Sequence, residues 1–218
     1  MSRPAIFLDR DGTLVEPRHY PRRAAELMLY DGIAAPLRRL REAGFALVIV
    51  TNQSGIARAL FTEADLQAMH DDLRERLAGL GVAIDAIEHC PHHPDGVIEA
   101  LAVRCSCRKP MPGMLLRAAA ALDLDLEQSW MIGDILDDVE AGHRAGCRSI
   151  LVDLGTEAPP ADPRRIPDFV ARDTPHALAI VAGVERLGPE STLTYRPAGW
   201  PPRAQIMDDA FVATGAAG

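Results

Sequence analysis

Short apolar runs recur along this chain at regular intervals. Ala5-Ile6-Phe7-Leu8 has no polar alternation, which is the pattern of a strand covered on both faces. Ala46 to Val50 repeats it, and Trp130-Met131-Ile132 and Ser149 to Val152 supply two more. Ala83 to Glu88 reads as a further strand, and Asp168 to Val170 as a weak one. Helical spacing fills the intervals. Ala34 to Ala43 sets Leu37 and Leu40 on one face and stops at Gly44. Thr62, with Asp65 three positions on, predicts a capped helix to about Leu80. Pro112 suits a first helical position and opens a helix to about Leu122. Asp137 to Ala145 is closed by Gly146, and Pro175 to Leu187 is the last helix. Strands and helices alternate, so the expected fold is α/β, a parallel sheet with helices on both faces.

After Leu187 the periodicity ends. Residues 188–218 carry Pro189, Pro197, Pro201, Pro202 and four glycines. They read as an irregular or flexible tail in which Trp200 and Phe211 can dock. The expected organisation is one domain over 1–187 followed by this tail.

Charge narrows the partners. The 218 residues hold 23 basic against 31 acidic side chains, a formal net charge of −8. A nucleic-acid binder needs a basic face, so DNA and RNA are not expected as partners. Small anionic substrates remain open, because a metal ion supplies positive charge locally. No apolar run reaches the ~18 residues of a membrane helix, and the first residues carry no secretory pattern. A cytoplasmic, monomeric chain without membrane partners is expected. Lysine is scarcer than any other charged residue: Lys109 is the only one. A compact ammonium binds phosphate as a point charge, which Arg does not reproduce in a tight site.

Polar residues collect where strands end. The first strand delivers Asp9 and Asp11, the second Thr51 and Asn52, the fourth Asp134 and Asp138. Ligands of open parallel sheets bind outside the carboxyl ends of the strands, so these groups are expected in one crevice, with Lys109 beside them. Carboxylates gathered there need a cation, and hard oxygen ligands favour Mg²⁺. An aspartate facing a phosphoryl group can attack phosphorus. A second, two positions on, can protonate the leaving oxygen and then activate water. Thr51 and Lys109 can hold the transferring oxygens.

The four cysteines are too few for a disulfide-built fold. Cys90-Pro91-His92 and Cys105-Ser106-Cys107 instead offer a Cys₃His set for a structural Zn²⁺. His89 and His93 compete with His92 on spacing alone. Cys147 stands apart and reads as a small buried thiol.

Together, Asp9-Arg10-Asp11-Gly12-Thr13, Thr51-Asn52-Gln53-Ser54-Gly55, Lys109 and Gly133-Asp134 through Asp138 resemble the four motifs of the haloacid dehalogenase-like (HAD-like) phosphatases. The resemblance covers about residues 5–155. It implies a three-layer Rossmann-like fold, Asp9 as nucleophile and Asp11 as general acid/base. It also implies Mg²⁺ on Asp9, Asp134 and the Asp11 backbone carbonyl, and phosphate contacts from Thr51, Asn52 and Lys109. The zinc loop, 89–108, runs into Arg108-Lys109-Pro110, as in the branch holding the D-glycero-D-manno-heptose 1,7-bisphosphate 7-phosphatases and the histidinol-phosphate phosphatases. Ser54, the Cys90-Pro91-His92-His93-Pro94 run and the Arg108 to Met114 run resemble the heptose enzymes more. That implies hydrolysis of the 7-phosphate of the heptose bisphosphate, a lipopolysaccharide-precursor step. It also implies substrate contacts at Tyr20, Gln53, Ser54 and Arg108. Ile135 stands where relatives often have Lys. The intervals between motifs leave no room for a separate cap domain. Another small phosphomonoester, such as histidinol phosphate, and a non-catalytic zinc-stapled binding module are the rival readings.

Overall fold

The computed structural model describes residues 2–187, Tyr195 and residues 197–200; Phe211 and most of the tail expected over 188–218 lie outside the described residues. Six strands form one sheet: β1 (Ala5–Leu8), β2 (Ala46–Asn52), β3 (Ala86–Cys90), β4 (Trp130–Gly133), β5 (Arg148–Val152) and β6 (Phe169–Ala171). Their order is β3-β2-β1-β4-β5-β6, and each neighbouring pair is parallel. The chain direction across the sheet reverses between β1 and β4, which puts a crevice at their carboxyl ends.

The helices are α1 (Ala34–Glu42), α2 (Glu63–Gly79), α3 (Gly113–Leu122), α4 (Leu136–Ala145) and α5 (Thr174–Val184). Strand periodicity sorts the core into two layers. Ile6, Leu8, Leu47 and Ile49 join Leu37 and Leu40 of α1, Leu66 and Leu73 of α2, and Leu178 and Val181 of α5. Ala5, Phe7, Val48 and Met131 turn the other way, onto Met114 and Leu115 of α3 and Ala141 of α4. Both faces are covered, which is why the strands are apolar throughout. This three-layer arrangement is the one expected from the sequence.

The boundaries moved in instructive places. β3 runs to Cys90 instead of Glu88, because Thr51 and Asn52 extend β2 and pair with His89 and Cys90. The loop that carries the cysteines therefore starts from the sheet itself. Pro112 precedes α3 and does not open it. The last helix starts earlier, at Thr174, because Asp173 caps it: its carboxylate accepts the His176 N–H at 2.7 Å. The capping box on α2 forms as expected, with the Thr62 hydroxyl accepting the Asp65 N–H and Asp65 accepting the Thr62 N–H. Trp200 is buried against Leu136, Val139, Leu151 and Ile166. No helix among the described residues is long and apolar enough to cross a membrane.

Candidate active site and metal centres

Asp9 leaves the end of β1, Thr51 sits near the end of β2, and Asp134 follows β4. Asp138 comes from the first turn of α4 and completes a buried acidic group: oxygens of Asp9, Asp134 and Asp138 lie within 4.8 Å of one another. Lys109 is enclosed with them. Its ammonium meets Asp9 Oδ1 at 2.5 Å and Asp138 Oδ1 at 2.5 Å, and donates to the Val50 carbonyl at 2.9 Å.

Glycine makes room at two points. A Cβ on Gly12 would lie 2.2 Å from Asp134 Oδ2, and Gly12 has φ +88°. A Cβ on Gly133 would lie 2.1 Å from Asp138 Oδ2. The Gly-Thr and Gly-Asp pairs of the sequence are therefore steric requirements of the carboxylate cluster.

Three buried carboxylates face one buried ammonium. Burial raises Asp9 to about 7, helped by the charges of Asp138 and Asp11 and opposed by Lys109. Burial likewise raises Asp134 to about 8, with Asp9 and Asp138 adding to it. Asp138 is also raised by burial. For Lys109 burial works against the charged form, but Asp138 and Asp9 outweigh it and hold its pKa above the usual lysine value. The site is short of positive charge, and its donors are hard oxygens, so it fits Mg²⁺.

Asp11 points elsewhere. Its Oδ2 accepts from Arg10 Nε at 3.0 Å, Arg10 Nη2 at 2.8 Å and Gln53 Nε2 at 3.1 Å. Gln53 Nε2 also reaches Thr51 Oγ1 at 2.8 Å. The Thr51 hydroxyl thus accepts from Gln53 and keeps its own proton to donate. Asn52, expected at the phosphate, turns its side chain to Lys109. Its amide pairs with both backbone groups of Lys109, accepting the N–H at 3.0 Å and donating to the carbonyl at 3.2 Å. It fixes the lysine's backbone.

Beside Asp11 opens a cavity of about 200 Å³ lined by residues including Arg10, Arg18, His19, Tyr20, Asn52, Gln53 and Ser54. Tyr20 Oη lies 3.5 Å from Ser54 Oγ, and Tyr20 has φ +50°. Arg108 stands half-buried, its backbone N–H donating to Cys105 Sγ at 3.3 Å.

The second cluster is the loop. Cys90, His92, Cys105 and Cys107 bring their ligand atoms within 4.8 Å of one another. Cys107 Sγ lies 3.1 Å from Cys90 Sγ and 3.3 Å from His92 Nδ1. The three histidines left open by spacing are separated here. His93 faces Arg58 at 3.2 Å, and His89 faces Glu63 at 3.0 Å. Burial pushes the Cys90 thiol well above its ordinary pKa, the condition a thiolate-binding cation relieves. Three thiols and an imidazole with no open position fit a structural Zn²⁺. Cys147 is buried outside the cluster, as expected.

Two residues essential to this geometry carried no role in the sequence reading: Arg10, and Asp138 as the second partner of Lys109. The signal for Asp138 was its place four residues after Asp134, in the first turn of the following helix. Nothing in the sequence marks Arg10.

A family model described as HAD-hydrolase-like matches residues 106–177. The D-glycero-beta-D-manno-heptose-1,7-bisphosphate 7-phosphatase of Yersinia pestis is 47% identical over 142 residues, 65% of this chain and 76% of that protein. Its namesake in Escherichia coli (strain K12) is 44% identical over 158 residues, 72% of this chain and 83% of that one. The crystal structure of D,D-heptose 1,7-bisphosphate phosphatase from B. bronchiseptica, complexed with magnesium and phosphate, superposes with a TM-score of 0.67 at 34% identity, covering 80% of this chain and 96% of that one. Fold and site thus define a HAD-like phosphatase, a phosphoric monoester hydrolase. Within that class the chain belongs to the D-glycero-beta-D-manno-heptose-1,7-bisphosphate 7-phosphatase family.

Proposed function

We propose that this protein removes the 7-phosphate of D-glycero-D-manno-heptose 1,7-bisphosphate through an aspartyl-phosphate on Asp9. One observation carries the substrate: relatives at 44% identity and above are named for this reaction. The side chains around the cavity are consistent with it.

Asp9 is the nucleophile. One of its oxygens bonds to phosphorus as the ester P–O bond breaks, and the Asp11 carboxyl gives its proton to the leaving sugar oxygen. Asp11 then takes a proton from water as the water oxygen attacks phosphorus and the bond to Asp9 breaks. Thr51 and Lys109 hold the phosphoryl oxygens, and Asp138 holds Lys109. Asp9, Asp134 and the Asp11 backbone carbonyl would hold Mg²⁺, which offsets the charge of carboxylates and phosphate when bound. Tyr20, Ser54 and Arg108 contact the rest of the substrate, with Arg108 at the distal phosphate. Cys90, His92, Cys105 and Cys107 would hold Zn²⁺, which when bound would keep the loop and Arg108 in place. The protein acts as a cytoplasmic monomer, with residues 1–187 as the catalytic domain.

The test is phosphate release from both heptose bisphosphate anomers, fructose 1,6-bisphosphate and histidinol phosphate. The highest kcat/KM is expected for a heptose anomer. A higher value for histidinol phosphate overturns the reading.

A further inference from the structure

Arg10 is wholly buried, yet among the described residues its guanidinium has one carboxylate within reach, Asp11. A buried cation is costly without a partner, so the pair holds together as a unit. Arg10 approaches through two nitrogens, Nε and Nη2, and both converge on the same oxygen, Asp11 Oδ2. Gln53, also buried, adds a third donor to that oxygen and ties it to the Thr51 hydroxyl. Three donors from two elements thus orient one carboxyl, on the side where the cavity opens.

We infer that Arg10 and Gln53 are positioning residues for the proton transfer made by Asp11, and that Gln53 couples it to the phosphate-binding Thr51. This inference rests on Asp9 and Asp11 acting as described, and it reassigns Gln53 from substrate contact to support of the acid/base. A carboxyl swinging freely would lose much of the advantage of a fixed proton donor, since general acid catalysis depends on hydrogen-bond reach to the leaving oxygen. Arg10 belongs to β1's own loop, so it keeps Asp11 in register with Asp9. Gln53 belongs to the loop after β2, so it sets the same carboxyl relative to the bound phosphate.

The chemistry supplies a discriminating readout. An alkyl ester such as a sugar phosphate needs its leaving oxygen protonated. p-Nitrophenyl phosphate leaves as a stabilised phenolate and needs little help. Gln53→Leu is expected to lower kcat for the heptose bisphosphate at least tenfold more than for p-nitrophenyl phosphate, with KM for the sugar within about twofold of wild type. Arg10→Met should show the same split, more strongly. If it fails to fold, Gln53→Leu alone decides. In an Asp11→Asn background, Gln53→Leu should cost little further turnover of the sugar ester, because residues acting through one group are not additive. Equal losses on both esters, a change confined to KM, or full additivity with Asp11→Asn overturns the inference. Failure of the wild-type protein to hydrolyse the heptose bisphosphate is a different result. It rejects the proposed substrate, and the split is then read on whichever alkyl phosphate the protein does turn over.

Discussion

Cys90, at the end of β3, meets His92, Cys105 and Cys107 of the loop that leads to α3. Asp9, Lys109, Asp134 and Asp138 reach one another from the ends of β1 and β4, the start of α4 and the segment before α3. Both clusters are short of positive charge, but they differ in what holds them. The loop has few large buried side chains of its own and leaves Val97, Ile98 and Val103 exposed, so its order is expected to depend on a ligand. Asp9 and Asp134 follow strands buried on both faces and Asp138 lies in the first turn of α4, so their arrangement is set by the sheet and the helix packed on it. One centre is expected to need its ion in order to be ordered. The other is expected to be ordered first and then to bind its ion for chemistry.

The strongest challenge to that contrast is the acidic centre's chemistry. Asp9→Asn keeps the shape of the nucleophile and removes its attacking charge. Turnover should fall by roughly four orders of magnitude, the scale of losing a covalent nucleophile, while the protein stays folded and zinc-loaded. Near-normal turnover by pure variant would reject Asp9 as nucleophile.

Next in size is Lys109→Met, which leaves buried Asp9 and Asp138 without their ammonium. Breaking a buried ion pair from one side costs about 3–5 kcal/mol. Thermal unfolding without added Mg²⁺ should show a drop of that order, and added Mg²⁺ should recover part of it. An unchanged Tm would mean that the lysine does not neutralise this pair.

Cys105→Ser tests the loop. Metal analysis should find about one zinc per wild-type chain, the stoichiometry of a single Cys₃His set, and clearly less in the variant. Proteolysis should open the loop while the sheet core remains protected. A variant with full zinc content and an intact loop removes Cys105 from the ligand set.

The smallest effect concerns pH. Burial holds the carboxyl of Asp9 at about 7 and that of Asp134 at about 8, both above the ordinary carboxylate value. At pH 6 both hold protons that Mg²⁺ must displace, and near pH 8 much of that competition is gone. Mg²⁺ affinity by calorimetry should therefore be about tenfold or more weaker at pH 6 than at pH 8. Protons should be released on binding at the lower pH. Affinity independent of pH would separate these carboxylates from the ion.

What the chain's order alone determined is what depends on local pattern. Continuous apolar runs marked the strands, because a strand covered on both faces has no polar side to display. Thr62 and Asp65 marked the start of α2, because a capping box is complete within four residues. Paired Cys and His at short spacing marked the loop's ligand set, because donors so near in sequence can meet wherever the backbone goes. The acidic residues at strand ends were legible for a related reason: in a parallel sheet, every strand end faces the same side.

The tertiary structure decided what depends on partners distant in sequence. It chose His92 over its neighbours by turning His89 toward Glu63 and His93 toward Arg58. It lengthened β3 to Cys90, since a strand end is set by the strand beside it. It set the Asn52 amide on the Lys109 backbone, gave Asp138 to the Lys109 ammonium, and closed Arg10 and Gln53 around Asp11. A side chain's hydrogen-bond partner is chosen by what the fold brings within about 3 Å, and a one-dimensional pattern contains no such distance.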